Sequence, residues 1–279
     1  MKNIAEKEPI VFVSGSFDNL RTNDIRFLQE ASKLGSVHAM LFSDTLSKKT
    51  NGKGIKFPQE ERMYFLRNIR FVDDVRVIES PGIEAISIIK KKLDINNTYW
   101  AIRESEANAR KMDLCAKEDI NLSIIPDAAL NGFPLFESRP DCLSKKVMVS
   151  GCFDWVHSGH VRFFEEAAQY GDLYVVVGHD ENLRLLKGSD HPLFPQQERQ
   201  YWVHAIRFVH RALISSGNGW LDAEPEVLHY KPDIFIVNED GDKPEKKELF
   251  EKLGVEYLVL ERKPKEGLQA RQSTHLRGF

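Results

Sequence analysis

Between Val147 and Gly171 the chain changes its period. Val147 and Val149 alternate as in a short buried strand, and Gly151 breaks the pattern. Val161, Phe164, Ala167 and Ala168 then recur at helical spacing. The same alternation of short apolar runs and helical stripes fills the chain. Strands are predicted at 10–14, 37–42, 75–78, 99–102 and 122–125, and again at 173–177, 212–215, 234–237 and 257–260. Helices are predicted at 23–34, 58–69, 107–117, from Pro195 to about 206, at 220–229 and at 244–253. Ile83, Ile86, Ile89 and Leu93 add a helical core stripe, and residues 50–56 (TNGKGIK) read as a polar loop. Alternating β and α elements imply α/β folding around mostly parallel sheets with helices on both faces.

The pattern also repeats. Residues 11–35 lie on 147–171 without a gap, with 11 of 25 positions identical, among them Gly15/Gly151, Phe17/Phe153 and Asp18/Asp154. FPQEER at 57–62 returns as FPQQER at 194–199, and IRFV at 69–72 as IRFV at 206–209. The 279 residues therefore read as two tandem copies of one Rossmann-like domain, 1–140 and 141–279. Pro, Ser and charge replace periodicity between Pro134 and Ser144, which marks the joint. Joined copies are expected to form a pseudo-dimer within a monomeric chain.

The copies differ at one helix start. His157-Ser158-Gly159-His160 stands between strand and helix in the second copy, with Ser158 as the expected N-cap. Unpaired N–H groups and partial positive charge at such a terminus suit phosphate. The first copy has Arg21-Thr22-Asn23-Asp24 there.

Composition narrows the setting. A net charge of −3 gives no electrostatic case for nucleic acid, and no apolar run reaches membrane-spanning length. Cys115, Cys142 and Cys152 show no metal-ligand spacing, and their odd number argues against a disulfide framework, so the cytoplasm is the expected compartment. Cys152 reads as a small buried thiol without a paired base.

GCFDWVHSGH at 151–160 resembles the HxGH signature of the nucleotidyltransferase superfamily and looks much like the G-x-F-D-x-x-H-x-G-H of glycerol-phosphate and phosphoethanolamine cytidylyltransferases. The resemblance implies a transferase that joins a phosphomonoester to the α-phosphorus of CTP and releases pyrophosphate. The expected acceptor is a small phosphorylated alcohol. Adenylyl transfer from ATP to a sugar phosphate or other phosphomonoester is the alternative, followed by a nucleotide-binding scaffold. It further implies catalytic roles for His157, His160 and Lys187. Gly151, Cys152, Phe153, Asp154, Gly159 and Arg199 would border the nucleotide, as would Ser273, Thr274 and Arg277, which match an S-T-T-x-[IL]-K/R element. Either Arg262 or Arg271 fits the arginine before that element. Trp155 has no aromatic twin and is a candidate wall of the acceptor pocket. Magnesium is expected with the triphosphate, with no protein ligand named. Asp24 would repel a triphosphate, which implies that the first copy is inactive. Arg62 matches Arg199 in that copy, which favours a structural ion pair for both.

Overall fold

The computed structural model describes residues 8–52, 54–80, 82–93, 97–136, 140 and 145–276. The chain divides into two compact units, 1–131 and 132–279. Most of the stretch where the joint is expected, residues 137–139 and 141–144, lies outside the described residues.

The first unit holds strands β1 (Ile10–Gly15), β2 (Ser36–Phe42), β3 (Asp74–Ile78), β4 (Thr98–Arg103) and β5 (Asn121–Ile125). Its helices are α1 (Thr22–Ser32), α2 (Asp44–Asn51), α3 (Gln59–Arg67), α4 (Ile83–Leu93) and α5 (Ala109–Lys117). The second holds β6 (Lys146–Gly151), β7 (Asp172–Val177), β8 (Val209–Ile214), β9 (Ile234–Asn238) and β10 (Glu256–Leu260). Its helices are α6 (Ser158–Ala167), α7 (Asp180–Lys187), α8 (Gln196–His204), α9 (Glu224–Tyr230), α10 (Pro244–Leu253) and α11 (Ser273–Leu276).

Each unit is built on a five-stranded, all-parallel sheet, ordered β3-β2-β1-β4-β5 in one and β8-β7-β6-β9-β10 in the other. Parallel strands buried on both faces need continuous apolar runs. Leu173 to Val177 supply one, each 1% exposed or less. The chain order reverses beside the central strand, β6, so a crevice opens between the carboxyl ends of β6 and β9.

Three local differences from the sequence reading have physical causes. Helices α2 and α7 were not anticipated, because at 8 residues each they make about two turns, too few for a stripe to repeat. α2 is instead capped by Ser43, whose side chain accepts from the Leu46 amide. The segment expected to be helical from Trp220 splits into a 3₁₀ turn, Gly219–Leu221, and then α9, which carries Pro225 in its first turn. The α6 N-cap is His157 rather than Ser158, which is already inside the helix.

Candidate active site

The loop from β6 to α6 is shaped by close contacts. A Cβ at Gly151 would come within 2.8 Å of the Phe153 ring, and one at Gly159 within 3.0 Å of the His157 ring. Only glycine therefore lets both rings fold over the helix start. Phe153 itself takes a left-handed backbone, φ 49°, as does its twin Phe17 at 48°. The Phe153 ring then packs edge-on against His160 and tilted against Phe164.

The two imidazoles stack, centroids 3.9 Å apart. His157 Nδ1 accepts from the Gly159 amide at 3.2 Å, and His160 Nδ1 accepts from the His157 amide at 3.4 Å. With its Nδ1 accepting, His157 carries its proton on Nε2, while the His160 ring also faces the Trp155 carbonyl, which favours its proton. Burial, reinforced by Arg262 and Arg271, lowers the His157 pKa to about 3. Burial, then His157, Arg262 and Lys187, takes His160 well below its usual range. Both rings are thus neutral donors at pH 7. His157 Nε2 is fully buried and has no hydrogen-bond partner among the described residues. A buried donor without a partner is costly, so its placement calls for an acceptor from outside the chain.

These rings border a cavity of about 490 Å³ in the second unit. Gly151, Cys152, Phe153, Asp154, Trp155, Gly159, Lys187 and Ser273 line it as well. Lys187, in the last turn of α7, makes no hydrogen bond or ion pair among the described residues. Ser273 donates to the Trp155 carbonyl at 3.2 Å, which draws the chain's last described helix, α11, onto the loop. Arg262, not Arg271, lines the cavity. It pairs with Asp240 at 2.5 Å and donates to the Arg271 carbonyl at 3.1 Å. Arg277 and the side chain of Thr274 lie outside the described residues.

Several expected contacts have other work. Arg199 is 1% exposed, does not line the cavity, and spends its guanidinium on the Phe194, Cys152 and Gly178 carbonyls and on Asp180. Arg62 makes the matching set to Phe57, Ser16, Phe42 and Asp44. The expectation of Arg199 at the nucleotide is therefore corrected: it ties the loops after β6 and β7 to α8. Asp154 reaches the cavity wall, but its carboxylate accepts from the Leu193 and Phe194 amides, as Asp18 does from Lys56 and Phe57. Burial raises the Cys152 thiol pKa, which keeps it protonated and unreactive.

Sequence reasoning passed over Asn182, Trp220, Asp222, Asp240 and Lys246, which also line the cavity. No spacing announces them, because they come from four separate segments. Among the described residues no group of three or more His, Cys, Asp or Glu could hold a metal ion. None of the described helices is long and apolar enough to cross a membrane.

In the first unit the α1 start is filled by the chain itself. Asp24 accepts from the Arg21 amide at 2.7 Å and pairs with Arg103 at 2.7 Å, and the Arg103 guanidinium lies over the Phe27 ring. Burial raises the Asp24 pKa against the pull of Arg21 and Arg103.

A parallel α/β unit that aims neutral imidazoles, a lysine and an arginine into a crevice at its strand ends has the build of a nucleotidyltransferase. The comparisons agree. A cytidylyltransferase-like family model matches residues 148–276. An FAD synthase of Methanopyrus kandleri is 36% identical over 108 residues, 37% of this chain and 69% of the relative. An FAD synthase of Archaeoglobus profundus is 33% identical over 134 residues, 47% and 83% of the two chains. A lipopolysaccharide core biosynthesis protein from Thermoplasma volcanium, known as a crystal structure, is 26% identical with a TM-score of 0.37, over 44% of this chain and 98% of that one. The chain belongs to the cytidylyltransferase-like family of nucleotidyltransferases.

Proposed function

We propose that the second unit transfers an adenylyl group from ATP to a phosphomonoester, with flavin mononucleotide as the acceptor. The FAD synthase relatives move the reading from CTP to ATP and from a small phosphorylated alcohol to FMN. The observation that carries nucleotidyl transfer is the buried, unpartnered Nε2 of His157 beside a second neutral imidazole at a helix start.

The chemistry asks little of a base, because a phosphate monoester is already anionic at neutral pH. An acceptor phosphate oxygen attacks the α-phosphorus, a new P–O bond forms, the α–β bridge breaks, and pyrophosphate leaves with the electron pair. The protein has to align two anions and offset charge that grows on the equatorial oxygens and the leaving group. His157 donates from Nε2, and His160 from its ring N–H, to phosphate oxygens. Lys187 neutralises charge from the cavity wall, and Arg262 can leave Asp240 for the triphosphate. Magnesium would accompany the triphosphate and offset its charge; among the described residues no cluster of three or more His, Cys, Asp or Glu could hold the ion.

The first unit is read as a non-catalytic partner domain. Its Asp24–Arg103 pair occupies the helix start that phosphate would need.

Pyrophosphate release from ATP and FMN, with FAD formed one for one, tests the reading. Release only with CTP, or with no nucleotide and acceptor pair, would end it.

A further inference from the structure

Lys246 and Asp222 stand in the cavity wall, and the reaction just described uses neither. Lys246, in the first turn of α10, is 9% exposed. Its ammonium donates one long hydrogen bond, 3.3 Å to the Gly241 carbonyl, and has no carboxylate within 4.0 Å among the described residues. A buried cation at a helix start is opposed by desolvation and by the helix dipole alike. Burial lowers its pKa accordingly, with Asp222, Asp242 and Asp240 acting against that and Lys243 with it.

The first unit shows what a purely structural lysine looks like here. Residues 98–115 match 233–250 without a gap, so Lys111 stands where Lys246 does. Lys111 is paired with Glu106 at 3.5 Å and lies over the Trp100 ring. The second unit has Gly241 in place of Glu106, which removes the carboxylate and leaves the ammonium with a carbonyl. Asp222 is also particular to the second unit. The first passes from β3, ending at Ile78, to α4, starting at Ile83. The second inserts the turn Gly219–Leu221 and Asp222 between β8 and α9. Asp222 accepts from Ser215 at 2.9 Å, and burial raises its pKa. The indole of Trp220, next but one in the chain, is half exposed in the same wall.

A phosphate gains little at this end of the cavity: for each negative charge at about 6 Å and an effective dielectric of about 20, the attraction of about 3 kcal/mol from Lys246 is offset by a similar repulsion from Asp222. What suits an ammonium and a carboxylate that share one cavity wall without pairing is a neutral edge that accepts from one and donates to the other.

We propose that Lys246 and Asp222 form a recognition couple for the acceptor's neutral part, a planar carbonyl/N–H edge. For a flavin, Lys246 donates to a pyrimidine carbonyl and Asp222 accepts from the N3–H. This rests on the adenylyl-transfer reading above. Discrimination of this kind is large, because a ligand lacking the edge leaves buried polar groups unpaired.

The test compares FMN with its N3-methyl analogue in the wild-type chain, in Lys246→Met and in Asp222→Asn. The expected result is a rise of at least about tenfold in KM for FMN in both variants, with KM for ATP within about twofold, which also reports intact folding. N3-methylation should cost the wild type about tenfold and Asp222→Asn less than about twofold, since the contact is already gone. The methyl arm needs no variant, so a misfolded variant leaves the question open to measurement. Unchanged KM for FMN in both variants, or equal tolerance of N3-methylation by wild type and Asp222→Asn, overturns the couple while leaving adenylyl transfer standing. Wild-type turnover of other phosphomonoesters but not FMN overturns it too. No pyrophosphate from ATP with any acceptor would instead overturn the adenylyl-transfer reading, and the couple with it.

Discussion

Replacing His157 with Gln removes an imidazole that the fold holds neutral, and the consequence can be worked out. The unfolded chain binds this proton near pH 6.5, whereas the folded chain resists it down to about 3. The unfolded state therefore takes up protons first as pH falls, so this group's contribution is complete above 6.5 and is lost progressively toward 3. The whole gap corresponds to about 5 kcal/mol at ~1.4 kcal/mol per pH unit. At pH 4.5 about 3 kcal/mol of it should be gone. Urea denaturation followed by tryptophan emission reports mainly on the right unit, since Trp155, Trp202 and Trp220 lie there and Trp100 in the other. Between pH 7 and 4.5, His157→Gln should lose about 3 kcal/mol less than the wild type, whatever other carboxylates contribute to both. Long-range ¹H–¹⁵N spectra supply a second reading, with His157 neutral and protonated on Nε2 at pH 5.5. Equal acid sensitivity of the two proteins, or a cationic His157 at that pH, would refute the buried-donor argument.

His160→Ala should lower turnover at least about tenfold, because the loss of a single transition-state donor typically costs about 10²–10³. It should also cost about 1–2 kcal/mol of stability, as the His157 amide loses its acceptor while the chain still folds. Turnover unchanged in a folded protein would remove it from the reaction. Lys187→Met should raise KM for the nucleotide about tenfold or more, as a cation not engaged elsewhere among the described residues is lost from the cavity wall. Unaltered nucleotide affinity would make it a surface lysine. Arg199→Ala should destabilise the second unit by about 3–5 kcal/mol, because it orphans three carbonyls and Asp180 at once. A stable Arg199→Ala protein with weakened nucleotide binding would reverse the assignment.

The parallel α/β architecture could be read from the chain because fully buried strands must be apolar throughout, as in Leu173–Val177. Neighbouring residues carry their own signal. The 151–160 string forms one wall of the cavity because Gly151, Gly159 and the two histidines act within a single turn. Arg199 looked like a nucleotide contact only until its carbonyl partners, up to 47 positions away, were in view. Comparison with Arg62 pointed the right way. Lys246, Asp222 and Asn182 were invisible, since a lysine in PEKKELF reads as a solvated helix face and only tertiary packing buries it. The exchange of Glu106 for Gly241 was available in the aligned copies, but it means nothing until Lys111 is seen with its carboxylate.

The most direct measurement is pyrophosphate release by the full chain with ATP or CTP, scanned over FMN, phosphoethanolamine, glycerol 3-phosphate and sugar phosphates. The account predicts release and FAD formation with ATP and FMN, slowed at least about tenfold in His160→Ala. Faster release from CTP with phosphoethanolamine, or undiminished release by His160→Ala, would contradict it.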